Sequence, residues 1–170
     1  EVSPVGTAKT APAQGAMVDR VRLGVAGCQH YESGFYTAYQ YLAKEPELDA
    51  IFHYGDYIYE GSGNPGKKGR VRAHAGDEIY SLDDYRRRYA QYKTDPDLQA
   101  AHAAAAFLAS YDDHEVDNNW ASIHDQDGTP PEFFLLRRRD LKAMDEVMLI
   151  MIGVMIIMQN AELLMWGGVA

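Results

Sequence analysis

The sequence predicts an α/β domain built on a parallel sheet. Residues 21–27 alternate apolar and small side chains, as a buried strand does, and residues 49–54 form a second short apolar run. Between them, Phe35, Ala38, Tyr39 and Leu42 recur at helical spacing within residues 34–44. Strand, helix and strand in this order imply a right-handed crossover between parallel strands.

Residues 1–19 read as an extended lead-in, punctuated by Pro4, Gly6, Pro12 and Gly15. Residues 1–17 contain no apolar core of the kind a signal peptide carries. Ser33 is placed to cap the first helix, and Pro46 follows its expected end. Residues 61–77 form a loop with five glycines. Ser81-Leu82-Asp83-Asp84 opens a second helix with a capping box in which Asp replaces the usual Glu. Asp95-Pro96 opens a third, with proline at a tolerated first-turn position and Leu98, Ala101, Ala105 and Leu108 on its apolar face. Residues 107–111 fit either the end of this helix or a strand. A short strand delivering Asp112 and Asp113 is the favoured reading.

The C-terminal stretch differs in kind. Six of the seven methionines lie between Met144 and Met165, and residues 147–158 form an apolar run of twelve. A helix that crosses a bilayer needs about 18–20 such residues, so no transmembrane span is expected. A buried core segment is one reading of this run. A stretch foreign to the preceding domain is another, and a tail lying on a membrane is a third.

The net charge of −9 argues against a nucleic-acid-binding surface, which needs a basic face. It does not argue against phosphate chemistry, because carboxylates that hold cations count as negative only while the site is empty. Cys28 is the single cysteine, so no internal disulfide can form. Alone, it is either a small buried core residue or a thiolate ligand.

Two motifs carry the chemistry. Gly55-Asp56-Tyr57-Ile58-Tyr59-Glu60 follows the second strand, where open α/β sheets bind ligands. Asp56 can bridge two cations, and Tyr59 can reach the same ion if the segment turns once. Asp112-Asp113-His114-Glu115 places three acids and a histidine together. Such groups repel one another unless something positive joins them. His114 is then a candidate general acid or phosphate-oxygen stabiliser. In Tyr85-Arg86-Arg87-Arg88-Tyr89, at least two arginines belong on a solvated face, and one turned inward can fork onto a phosphate.

Cys28 followed by these two motifs, with Asp117-Asn118-Asn119 after the second, resembles the PhoD-type alkaline phosphatases. This is a branch of the calcineurin-like metallophosphoesterases. The resemblance runs from about residue 1 to Arg138. It implies a partial αββα metallophosphoesterase sandwich, an incomplete domain. Residues 1–19 would be a linker from a β-sandwich domain, residues 20–139 the N-terminal part of the phosphatase domain, and residues 140–170 an atypical tail.

The resemblance also implies metal-dependent hydrolysis of phosphate monoesters and diesters, export to the periplasm or medium, and a centre of ferric iron with calcium. Cys28, Asp56, Tyr59 and Asp113 match metal-ligand positions, and His114 matches the catalytic histidine. Arg88 and Asn118 are carried over as phosphate-binding candidates. The family's later ligand segments have no counterpart after Arg139. An inactive fragment that keeps partial metal binding is therefore the alternative expectation.

Overall fold

The computed structural model describes residues 5–64, 66–134 and 137. The tail predicted from residue 140 onward lies outside the described residues. Three short strands, β1 (Leu23–Ala26), β2 (Ala50–His53) and β3 (Phe107–Ala109), form one parallel sheet in that order. The register pairs Val25 with Phe52, and Phe52 with Leu108. Helix α1 (Thr37–Leu42) connects β1 to β2, while α2 (Leu82–Tyr92) and α3 (Pro96–Ala104) lie between β2 and β3. The expected strand–helix–strand order and the β3 reading both hold.

Alternation along the strands separates two faces of the sheet. Ile51, His53 and Phe107 point into the core, where Tyr36, Tyr39, Leu98 and Ala101 cover them. Leu23 and Val25 on the other face are 50% and 63% exposed. This one-sided cover is what a partial sandwich presents. Among the described residues no helix is long and apolar enough to cross a membrane.

The helix starts follow local chemistry. Ser81 and Asp84 form the expected reciprocal capping box of α2. Asp95 caps α3 through the N–H groups of Asp97 and Leu98. Its other oxygen takes Arg72 at 2.7 Å. The Arg72 guanidinium in turn lies 3.8 Å from the Tyr31 ring centroid.

One capping expectation fails. Ser33 does not cap α1; it closes a separate 3-10 turn, Tyr31–Ser33, and its hydroxyl bonds to His30 and Arg70. Gly34 next to it is extended and breaks the helical run, so α1 starts later, with Tyr36 before it and no side-chain cap. The same break turns Phe35 outward and puts Tyr36 in the core.

Candidate metal centre

The site forms where the C-terminal ends of the strands release their loops. After β1 the chain turns at Cys28, and after β2 at Asp56; both have a φ of 53°. This left-handed region is uncommon for residues other than glycine. Two backbone bonds tie the turns together, Cys28 N–H to the Gly55 carbonyl and Gln29 N–H to the Asp56 carbonyl, each 3.1 Å. The buried Gln29 side chain adds a bond to the Tyr57 carbonyl at 2.9 Å and accepts the Tyr39 hydroxyl at 2.6 Å.

After β3 the chain enters a second 3-10 turn, Asp113–Glu115, capped by Asp112. Glycine is needed at position 55 for this approach. Its φ is 129°, and a Cβ there would lie 2.5 Å from that of Asp112.

These turns bring Asp56, Asp112 and Asp113 together, with one carboxylate oxygen of each within 4.8 Å of the others. Asp56 is buried and Asp112 exposed, so the cluster opens to solvent on one side. The Tyr59 hydroxyl donates to Asp56 at 3.1 Å. The Cys28 thiol is exposed and hydrogen-bonds with Asp56 and Tyr54.

Burial and the Asp56 carboxylate push both the Cys28 thiol and the Tyr59 phenol up. Both groups therefore carry protons while no cation balances the acids, and cation binding through them releases protons. Three carboxylates with a phenol oxygen suit hard cations, and the thiol adds one softer donor. The donor set fits a metal centre.

His114 stands beside this cluster. Its ring centroid is 4.0 Å from that of Tyr59, and its Nδ1 is 2.8 Å from the Glu60 carboxylate. Burial alone would lower its pKa. The Glu60 hydrogen bond and the charges of Glu60, Asp56 and Asp113 outweigh burial and raise it. The second oxygen of Glu60 accepts the Asn118 N–H at 2.9 Å.

The structure thus brings Cys28, Asp56, Tyr59, Asp113 and His114 to one place. Among the described residues, Asn118 joins them through its backbone N–H to Glu60. It lines a groove of about 390 Å³ shared with Glu60, Glu78, Asp117 and Asp127, three of which are paired with His114 or Arg137.

Arg88 departs further from its expected role. It is turned inward, as one arginine of its run was expected to be, but it is only 2% exposed. Its guanidinium donates to the carbonyls of Tyr59, Gly61 and Asp77. A side chain so occupied holds the loop after Asp56 and does not reach out to a substrate. Arg86 and Arg87 form the solvated face, paired with Asp83 and Asp84.

Three residues of the site escaped sequence reasoning. Asp112 supplies the third carboxylate, Glu60 holds His114, and Glu115 gathers backbone N–H groups. All three lie in the two acidic motifs. That was the available signal, but spacing alone does not say which acid of a run turns inward.

Comparison with known proteins gives this geometry its family. The family model for PhoD-like phosphatases matches residues 23–153. The chain belongs to the PhoD-like phosphatase family. It is 51% identical over 140 residues to alkaline phosphatase D of Bacillus subtilis (strain 168), covering 81% of this chain and 24% of that protein. A solved structure of PhoD superposes with a TM-score of 0.76 at 51% identity, covering 81% of this chain and 27% of that one. The chain thus spans about a quarter of the length of these relatives. The PhoD-like match includes residues 140–153, part of the stretch set apart by composition as an atypical tail.

Proposed function

We propose that the chain carries cation-binding and proton-handling residues of a phosphate-ester hydrolase active on monoesters and diesters. The convergence of Asp56, Asp112 and Asp113 within 4.8 Å carries this reading. Membership in the PhoD-like phosphatase family supplies the reaction class. Asp56, Asp113, Tyr59 and Cys28 would hold the cations, with Asp112 as a further carboxylate. A ferric ion beside Cys28 and Tyr59, with calcium as its neighbour, suits the mixture of thiol, phenol and carboxylate donors. When bound, such a pair supplies Lewis acidity toward the phosphate and its attacking water.

The chain's own residues do the rest. Asp56 lies deepest and orients the centre through its bonds to Tyr59 and the His114 N–H. With Nδ1 held by Glu60, His114 is free to deliver a proton from Nε2 to the departing oxygen. Export from the cytoplasm belongs to the same proposal and rests on the family alone.

Hydrolysis of p-nitrophenyl phosphate and bis-p-nitrophenyl phosphate, with ferric ion and calcium added, tests the reading. Turnover that a chelator abolishes is expected. A chain that binds no cation and turns over neither ester would sink it. A second reading is a piece that binds metal without turnover. The exposed positions of Cys28 and Asp112 favour it. Stoichiometric cation binding without hydrolysis would select it.

A further inference from the structure

Glu115 has no assigned role in cation or substrate binding, yet it is the most heavily bonded acid beside the site. Its carboxylate is completely buried. One oxygen accepts the N–H groups of Tyr57 at 2.6 Å and Ile58 at 3.2 Å. The other accepts the N–H groups of Asp56 at 3.0 Å and Asp112 at 2.7 Å. That second oxygen is thus shared by the backbones of two residues whose side chains converge on the proposed cation site.

The arrangement answers a physical difficulty. Asp56, Asp112 and Asp113 repel one another when no cation is bound. Asp56 also sits at a φ of 53°, a conformation that persists only when its surroundings hold it. A clamp on the backbone resists both effects and leaves the aspartate oxygens free for a ligand. With two N–H donors on each oxygen, Glu115 has no oxygen directed at a cation.

We infer that Glu115 is a positioning residue whose buried carboxylate locks the Asp56 backbone to that of Asp112 and so sets the spacing of the cation-binding carboxylates. The inference rests on the proposed cation centre.

Terbium(III), a hard cation that nearby tyrosines sensitise, is the probe, titrated into the full chain and followed by luminescence. Glu115→Gln keeps the shape of the side chain but replaces one acceptor oxygen with a donor. Tyr85→Phe is the control. It removes the 2.9 Å bond to the Glu115 carbonyl and loosens the same turn without touching the carboxylate. Thermal melts of all variants establish folding.

Glu115→Gln is expected to bind terbium about 10–100-fold more weakly than the wild type, as loss of a supporting residue around a metal site does, while Tyr85→Phe stays within about twofold. Equal affinity in Glu115→Gln, or an equal loss in Tyr85→Phe, would overturn the inference. If Glu115→Gln does not fold, Glu115→Asp replaces it. That variant keeps the charge but is one methylene short of bridging both segments. A folded Glu115→Asp with weakened binding supports the clamp, and one with wild-type affinity overturns it. If neither variant folds, Glu115 is a structural residue and the inference fails. A wild-type chain that binds no terbium refutes the cation centre itself, a result distinct from failure of the clamp.

Discussion

Glu60 and His114 come from different motifs, 54 residues apart, and meet at 2.8 Å between a carboxylate oxygen and Nδ1. The contact fixes both the tautomer and the ring plane of the histidine. Glu60→Gln removes the charge and keeps the shape. It is expected to slow hydrolysis of phenyl phosphate on the order of tenfold, with a smaller effect on p-nitrophenyl phosphate, whose leaving group needs little protonation. Comparing kcat for the two esters checks this, and equal effects on both would remove His114 from the proton-delivery role.

Acid should weaken the fold through its buried histidines. Burial lowers the pKa of His53, His74 and His102 to about 4 each, with Arg88 adding to the effect at His74 and Lys93 at His102. Each folded pKa lies below the unfolded value of about 6.5. The stabilising contribution is therefore complete above pH 6.5 and is lost as the pH falls toward 4. Each histidine contributes a slope of up to about 1.4 kcal/mol per pH unit. Thermal midpoints measured from pH 7 to pH 4 should fall less steeply than the histidines alone would give, because Glu115 and Asp117, raised by burial to about 7 and about 6, gain stability as they protonate. Imidazole resonances of these three residues that titrate near pH 6.5 in the folded chain would contradict their neutral buried state.

Asp95→Ala should be among the costlier substitutions remote from the cluster. It removes the α3 cap and the carboxylate partner of Arg72, whose side chain is 13% exposed. Losing the cap costs about 1 kcal/mol, and loss of the carboxylate from Arg72, which keeps its bond to the Tyr31 carbonyl, about 2 more. Denaturant unfolding should show a drop of about 3 kcal/mol in total. Asp95→Asn retains the cap and should lose less.

Arg88→Met separates a structural role from substrate binding. It leaves the carbonyls of Tyr59 and Asp77 without this donor, and that of Gly61 with His74 alone. A loss of about 3 kcal/mol in stability is expected from unmet buried acceptors. KM of the remaining folded protein should change little. A large rise in KM with stability intact would return Arg88 to the phosphate site.

Gly55→Ala should disturb the cluster directly. A methyl group at φ 129° is strained, and it would meet Asp112 at 2.5 Å. Asp112 must move away from Asp56, so terbium affinity is expected to fall with a stability loss of about 1–3 kcal/mol. Wild-type affinity in a folded Gly55→Ala chain would show that the approach of Asp112 does not matter.

The readable parts of the fold were those that depend on neighbours in sequence. Ser81 with Asp84 and Asp95 with Pro96 announce their helices because a cap is satisfied within one turn. The cap at Ser33 was misread because Gly34, also nearby, adopts an extended backbone that no spacing rule anticipates. That one arginine of the 86–88 run turns inward was readable, and the family resemblance pointed to Arg88. Its partners were not, because they belong to the loop after Asp56, whose path is set by packing.

The sequence by itself determined the α/β order, the two acidic motifs at strand ends and the family they mark. Periodicity, capping and motif order are local properties and survive without coordinates. Tertiary structure decided that Asp112 joins Asp56 and Asp113, that Glu60 holds His114, and that Glu115 faces backbone N–H groups. Each of these depends on turns at positive φ and on donors supplied by a distant segment. Spacing along the chain cannot specify such directions, because they follow from how one loop packs against another.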